Sequence, residues 1–447
     1  MVSPQTIYAL SSGPLPAAIA IIRISGPSAS EALRLLGVKK LEPRKLVLTK
    51  LKPPKKEIID ISLVCYFPEK DSVTGEELVE LHLHGSIAVV DEAFLFLSSI
   101  KGFRPAEPGE FTKRALIKGK MDLIEVEGLA DLIASETKEQ RIQSLRLLKG
   151  ELSKKYLEWR KELVWIRAEM EALLDFSDEG DVSQKAQKNN FSKKISLLIK
   201  NIEKDLEKGI TGERLRSGLK IALIGAPNVG KSSLINTLLN EDRAIVSAQA
   251  GTTRDTIEAR LNLEGVPVTI YDTAGIREAR NKIEKEGVRR SKSTAKNADI
   301  VLFISSALDN KKEAALDLSK FREAKIMHIS NKIDLVSDYS RLEKRGFCIS
   351  CKTKQGIDKL LKSLSREAKK MTSSSDLSVG PNRIRHINHL KNTKESLELA
   401  VQEVKKDNMD ISADFIRSAS ISLGRIVGII DIEDVLDEIF SGFCIGK

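Results

Sequence analysis

A chain of 447 residues with 41% hydrophobic and 30% charged residues is too apolar to be disordered and long enough for roughly two to four domains. Its net charge of +10 favours acidic partners such as nucleic acid, although no arginine-rich arm concentrates that charge. Four cysteines make no disulfide framework in a chain of this size, which implies a reducing cytoplasm, and the early apolar run AAIAII is far too short to span a bilayer.

In chain order, residues 1–118 read as mixed α/β. IAIIRIS and IDISLVCYF have strand character, and SGPSASEALRLLG opens like a capped helix. Residues 119–216 turn helical: Leu145, Leu148, Leu152, Tyr156, Trp159, Leu163, Ile166, Met170 and Leu173 recur at threes and fours as one apolar stripe. DFSDEGDVSQ interrupts that stripe, and it resumes from Phe191 to Leu206. Residues 217–372 alternate β-rich runs, turns and helices as a second α/β domain. MTSSSDLSVGP is a polar linker, and residues 373–447 return to helix. Two helical segments therefore flank an α/β insert, and their simplest packing is together. The expected fold class is α/β multidomain: an N-terminal α/β domain, a helical domain, and an inserted P-loop domain of the Ras type.

The insert carries the strongest signal. LKIALIGAPNVGKSS places G-x-x-x-x-G-K-S between a buried-strand run and a helix. Backbone amides around Asn228, Val229 and Gly230 would cradle phosphates at the helix start. Lys231 would reach the β- and γ-phosphates, and Ser232, followed by Ser233, would offer a hydroxyl to Mg²⁺. Downstream, AGTTRD gives Thr253 as a second hydroxyl for Mg²⁺. YDTAG gives Asp272 for the metal's water shell, then Thr273, Ala274 and Gly275 to sense the γ-phosphate. In NKID, Asn331 and Lys332 precede Asp334, whose carboxylate can accept two hydrogen bonds from guanine but not from adenine, which selects GTP. SCK places Ser350, Cys351 and Lys352 behind the base. Cys348 and Cys351 form a C-x-x-C with no second pair nearby, and strand-end packing is preferred to metal or redox chemistry. After DTAG stands Ile276 where many relatives of Ras carry a water-orienting Gln. Something else must place the water and supply an arginine finger's charge; Arg254 and Arg277 are candidates, though surface pairing is the commoner fate of such residues.

RISG at Arg23, TGEELVELHLHG, RPAEPGEFTKRA, GK-x-DL at Lys120, the four GTPase motifs and FCIGK together resemble the MnmE (TrmE) family of tRNA-modification GTPases, over nearly the whole chain. FCIGK bears on Cys444, which alone fits a poor prenylation box or a frayed tail. The resemblance implies instead a segment folded back near a folate site, with a possible role for Cys444 in the modification.

It implies further that Asn228, with Ser247, Gln249 and Thr252, holds K⁺, and that Ala248, Ala250 and Gly251 complete the wall around the nucleotide. Alone, Asn228 reads equally as a turn residue. It implies that Glu284 is the catalytic glutamate that orients water beside Lys231, although by itself it is one of many helix-surface glutamates. Arg23, Glu80, Lys120 and Lys447 match contacts to a tetrahydrofolate derivative, 5-formyl or 5,10-methylene; a plain Arg–Glu pair is the alternative for the first two. His82 and His84 alternate on a strand and read as face residues, not metal ligands.

The resemblance also implies a homodimer formed through the folate-binding domain and an FAD-dependent partner, MnmG (GidA), in a heterotetramer. The reaction would be K⁺-dependent GTP hydrolysis coupled to modification at carbon 5 of uridine 34 in tRNA, with no membrane involved. Two rivals are a ribosome-assembly GTPase that binds ribosomal RNA and a folate-binding scaffold with a vestigial G domain. No KH or OB signature favours the first, and the intact Lys231, Ser232, Thr253 and Asp272 oppose the second. The sequence departs from the family pattern at SSGPLPAAIA, HGS, SCK and GIIDIED.

Overall fold

The computed structural model describes residues 5–39, 42–175, 181–240, 258–272, 298–308, 324–372, 379–430, 436, 439–440 and 442–446. The chain divides into two compact units. One comprises Met1–Ala130, Leu147–Trp165 and Ser420–Lys447; the other comprises Asp131–Arg146 and Ile166–Ala419. No described helix is long and apolar enough to cross a membrane.

The first unit is built on a six-stranded sheet of β1 (Thr6–Leu10), β2 (Ile19–Ser25), β3 (Val47–Leu51), β4 (Asp60–Phe67), β5 (Leu78–His84) and β6 (Phe103–Pro105), in the order β3-β4-β5-β2-β1-β6. All pairs are antiparallel except β1 with β6. Period-two alternation sorts its faces. Ala20, Ile22 and Ile24 of β2 and Val79, Leu81 and Leu83 of β5 point to one side. There they pack with Ala29, Ala32 and Leu33 of the helix Ala29–Leu35 and with Val90, Ala93 and Leu97 of the helix Ile87–Ser98. The opposite face carries Arg23, Glu80 and His82. Near β1 it is covered by Phe111 of the helix Glu110–Ile117, which packs with Ile7, Ala9 and Ala106.

That helix is fixed by a buried charge network. Arg114, only 2% exposed, donates to Glu76 at 2.8 Å, to Glu110 at 2.9 Å and to the Gln5 carbonyl at 3.1 Å. Arg104 adds a two-pronged contact to Glu110 at 2.6 and 2.7 Å. The fork geometry of arginine suits this paired recognition of carboxylates.

The second unit contains another six-stranded sheet: β7 (Leu219–Gly225), β8 (Glu258–Leu263), β9 (Val266–Asp272), β10 (Ile300–Ser306), β11 (Lys325–Asn331) and β12 (Phe347–Cys348), ordered β12-β11-β10-β7-β9-β8. Every pair is parallel except β8 with β9. Counted within the sheet the order is 6-5-4-1-3-2, the order of a Ras-like G domain. Leu219, Ile221, Leu223, Ile300, Leu302 and Ile304 face a core closed by Leu234 and Leu238 of the helix Lys231–Leu239 and by Leu360, Leu361 and Leu364 of the helix Ile357–Thr372. Ala222, Ile224, Val301 and Phe303 face the other side, so β7 and β10 read as near-continuous apolar runs, as central parallel strands do.

The stripe expected as one run is divided at a turn: Leu145 and Leu148 lie on the helix Lys138–Leu148, Gly150 is left-handed at φ +72°, and Leu152 to Leu173 lie on the helix Glu151–Asp175; a long helix, Asp181–Ser217, follows the DFSDEG stretch. Helices Ile384–Lys405 and Asp181–Ser217 pack on each other. Lys394 pairs with Glu203 at 2.8 Å across that contact. Gly218, at φ +79°, turns the chain out of the long helix and into β7. Arg214 at the helix end bonds Asp299 at 2.8 Å, and Asp299 also accepts the Lys220 amide at 3.0 Å.

The charge network generates a test. Burial alone would push the Glu110 carboxyl up, but Arg104, the Glu107 amide and Arg114 outweigh it and hold the group below its ordinary value. A depressed folded-state value adds stability that is complete above the ordinary carboxylate range and is lost as pH falls through the depressed value. Arg114→Met should therefore cost about 3–5 kcal/mol in denaturant unfolding at pH 7, because it strands buried carboxylates. Glu110→Gln should flatten the acid limb of the stability curve. Wild-type stability for the first variant, or an unchanged acid limb for the second, would contradict this reading.

Candidate functional site

In an open parallel sheet the ligand crevice lies beyond the carboxyl ends of the strands, where the order reverses. Here β7 lies between β10 and β9, and the loops after β7, β11 and β12 all leave from that edge. Gly225 ends β7. A Cβ there would collide with the Ile304 carbonyl of β10, so only glycine allows the strands to approach. The loop then turns through Asn228, left-handed at φ +62°, with its side chain exposed. Gly230, at φ +98°, precedes the first turn of the helix Lys231–Leu239, on which Ser232 and Ser233 are exposed. Lys231 is 6% exposed, and its ammonium donates to the carbonyls of Gly225 at 2.9 Å and Ala226 at 2.8 Å. The positive charge thus sits within the loop, beside a helix N-terminus, where phosphate oxygens are favoured.

Two residues from the end of β11 hold this loop. Asn331, 2% exposed, donates its amide to the Val229 carbonyl at 2.9 Å and accepts from the Cys351 amide at 3.3 Å. Its nitrogen occupies the space a Cβ on Gly230 would need, so this glycine is required twice, by its φ and by Asn331. Lys332, left-handed at φ +68°, donates to the Asn228 carbonyl at 2.8 Å. Asp334 is exposed, and one oxygen accepts from Ser350 at 2.6 Å. Ser350 is fully buried, accepts from the Thr353 amide at 3.2 Å, and gives its own amide to the Gln355 carbonyl at 3.0 Å. The serine fixes the carboxylate's orientation before any base arrives, and Lys352 is exposed beside it.

Cys351 packs on the same core as Phe347 and Ile349, while Cys348 alternates to the other side of the strand. Burial pushes both thiols up: the Asp334 charge adds to it at Cys351 against bonds from Thr237 and Asn331, and Glu343 adds to it at Cys348. Both thiols are free, and the described residues contain no group of three or more side chains that could hold a metal ion.

Asp272 ends β9, with Leu223 of β7 as its register partner, so the chain enters DTAG next to the phosphate loop. The Asp272 side chain lies outside the described residues, as do Ser247, Ala248, Gln249, Ala250, Gly251, Thr252, Thr253, Thr273, Ala274, Gly275, Glu284 and Lys447. What is described fits a guanine nucleotide with a hard divalent cation: a buried ammonium, a helix N-terminus, an exposed serine hydroxyl and an oriented carboxylate.

A second polar cluster lies on the open face of the first unit's sheet. Arg23 and Glu80 are direct register partners on β2 and β5, and Cys65 on β4 continues the row. Arg23 donates to one Glu80 oxygen at 2.8 and 3.2 Å. His82 Nε2 lies 3.2 Å from the other oxygen, so both are engaged. The Arg23 guanidinium stands 5.9 Å from the Phe111 ring centroid. Burial, reinforced by the Glu80 charge, pushes the Cys65 thiol up. The Arg–Glu pair is present and partly exposed, at 25% and 17%, so a ligand can reach it. Lys120 instead reaches the Lys70 carbonyl, at 2.7 Å. The alternation in LVELHLH put Glu80 and His82 on one face, but their joining to Cys65 and Phe111 needed the strand register, which the sequence does not carry.

The Phe443–Gly446 segment is docked, not frayed. Ile445 forms an antiparallel bridge with Pro108, and the Gly446 carbonyl accepts from Ser11 at 2.8 Å, while Cys444 is exposed. Ile445 also borders a cleft of about 290 Å³ together with Leu10, Pro14 and Phe94.

Two family models match the chain: "GTP-binding protein TrmE N-terminus" over residues 6–120 and "MnmE helical domain" over residues 123–444. Among curated proteins, the chain is 43% identical over 448 residues to the tRNA modification GTPase MnmE of Bradyrhizobium sp. (strain ORS 278), covering 99% of each chain. The proteins of that name from Rhodopseudomonas palustris and Agrobacterium fabrum are also 43% identical over 448 residues, covering 100% of this chain and 99% of their own.

Asp334 generates the test of base recognition. Asp334→Asn should weaken GTP binding about 100-fold or more, since two bonds to a charged acceptor are worth about 1.5–3 kcal/mol each. An asparagine offers one donor and one acceptor, the complement of xanthine. Xanthosine triphosphate should therefore bind the variant better than GTP does in nucleotide competition. An undiminished GTP affinity would remove Asp334 from the base site.

Proposed function

The chain belongs to the MnmE (TrmE) family of tRNA-modification GTPases, and on that premise we propose that it hydrolyses GTP in a K⁺-dependent manner to drive modification of carbon 5 of uridine 34 in tRNA. The observation that carries this reading is the union of phosphate loop and base loop through Asn331 and Lys332, which makes one nucleotide site from three separate strand ends. Amides around Val229 and Gly230 bind phosphate oxygens. Lys231 exchanges its loop carbonyls for the β- and γ-phosphates, and Asp334 reads guanine with Ser350 holding it in place. Ser232 and Thr253 would hold Mg²⁺, which when bound neutralises developing phosphate charge. Asn228, Ser247, Gln249 and Thr252 would hold K⁺, which supplies the charge an arginine finger supplies elsewhere. Glu284 orients the attacking water, a role Ile276 cannot fill. The exposed side chain of Asn228, on a loop fixed from behind by Lys332, supports its availability to a cation.

The same proposal assigns residues 1–118 to a folate-binding and dimerisation domain, 119–216 and 373–447 to a helical domain, and 217–372 to the G domain. Arg23, Glu80, Lys120 and Lys447 take a tetrahydrofolate derivative, which brings the one-carbon unit. The partly exposed Arg23–Glu80 pair supports this, because Glu80 is held as an acceptor for heterocyclic N–H groups. The homodimer works in the cytoplasm with an FAD-dependent partner, MnmG (GidA), and the net charge of +10 suits tRNA. Cys444, exposed on the docked segment, is available to the modification reaction.

GTP turnover in KCl against NaCl at equal ionic strength tests the proposal. K⁺ should accelerate wild type by about tenfold or more, a modest share of what a positive charge contributes in arginine-finger enzymes. Asn228→Ala should lose that acceleration. Equal slow rates in both salts would rule the cation mechanism out.

A further inference from the structure

We propose that Ser11 is a positioning residue for the modification reaction, latching the Phe443–Gly446 segment so that Cys444 is held at one exposed place. The proposal rests on the reading of this segment as part of the modification machinery.

Ser11 is itself rigidly placed. Its amide donates to the Ile21 carbonyl at 2.7 Å, continuing the β1–β2 ladder, and the Ile21 amide returns a bond to the Ser12 hydroxyl at 3.1 Å. From this anchored position the Ser11 hydroxyl donates to the carbonyl of buried Gly446 at 2.8 Å. The partner is shaped to receive it. Gly446 sits at φ +96°, and a Cβ there would collide with the Leu10 carbonyl, so the segment comes this close to β1 only with glycine. Its other end is held by packing: Phe440 and Phe443 are buried with Leu116, Leu123 and Val126. Gly109, at φ +67°, leaves room for both rings and offers its amide to the Cys444 carbonyl at 3.5 Å.

Cys444 therefore lies between two fixed points, the buried Phe443 ring and the Ser11–Gly446 bond. An exposed thiol on a free chain end would sample many positions. Held at both sides, it presents one geometry to a reacting group, the condition for productive orientation.

Full-length chains carrying Ser11→Ala, Ser11→Thr or Gly446→Ala are compared with wild type in two measurements. In the first, a carboxypeptidase trims the chain and intact mass records the loss of Gly446. Ser11→Ala should release it roughly two- to tenfold faster, the shift expected from losing one ordinary hydrogen bond. Gly446→Ala should open the segment at least as far, and Ser11→Thr should restore wild-type behaviour. In the second, tRNA modification is followed with the FAD-dependent partner at saturating tRNA. Ser11→Ala should lower kcat while GTP turnover and melting temperature stay as in wild type, with Ser11→Thr again restoring it. Unchanged release in both Ser11→Ala and Gly446→Ala would overturn the latch. Faster release with unchanged modification would overturn the positioning role. A wild-type chain that modifies no tRNA would sink the functional reading beneath that role, with the trimming comparison still deciding the latch.

Discussion

Asn331 ends strand β11, one in from the sheet edge, with both ends of its buried amide used, one on the Val229 carbonyl of the phosphate loop and one on the Cys351 amide of the base loop. Its nitrogen lies against Gly230 where any side chain would collide. Leaving either end unpaired in so buried a place would cost about 1–3 kcal/mol, which makes the bridge a strong constraint on where both loops can lie. The rest of the nucleotide site follows from it. The phosphate loop holds its left-handed turn at Asn228 because Lys332 takes that residue's carbonyl from behind. The base loop is positioned so that buried Ser350 can hold Asp334. The phosphate loop and the base loop are thus tied to one residue at the end of one strand of the parallel sheet.

The first unit uses a different principle. Its sheet separates an apolar face, filled by two helices, from a face carrying a cross-strand row of Cys65, Glu80 and Arg23, with His82 beside it. Packing decides the first face and charge pairing the second. Arg114 and Arg104 lock the covering helix Glu110–Ile117 through Glu110, and that helix brings Phe111 to the Arg23 guanidinium. Glu80 is thereby oriented from both sides, by a guanidinium and by an imidazole. The same helix is preceded by Pro108 and Gly109, which receive the segment around Cys444. One buried network thus supports both the polar row and the docked segment.

Much of this was legible in the sequence because the chemistry is local. The phosphate loop, NKID and SCK are short runs whose residue types and flanking strands state their roles, and each of the described ones stands at a strand end as expected. The alternation of IAIIRIS and LVELHLH gave the two sheet faces. The contacts that join distant pieces were not legible. Asn331 meets Val229 across 102 residues, and Ser11 meets Gly446 across 435. No pattern along a chain encodes such a register. His82 read as a bare face residue because its partner is set by side-chain conformation on the open face of β5, which alternation alone does not fix. Ser247, Gln249, Thr252, Thr253, Glu284 and Lys447 lie outside the described residues; the role of Thr253 rests on the AGTTRD motif, and those of the others on the family resemblance.

On the proposed function, this nucleotide site drives a change in tRNA. The most direct measurement is mass spectrometry of the wobble nucleosides of tRNA from cells lacking the chain, complemented with wild type or with Lys231→Ala. The carbon-5-substituted uridine should disappear without the chain, return with wild type and stay absent with the variant. An unchanged nucleoside profile in the deleted cells, or full restoration by Lys231→Ala, would contradict it.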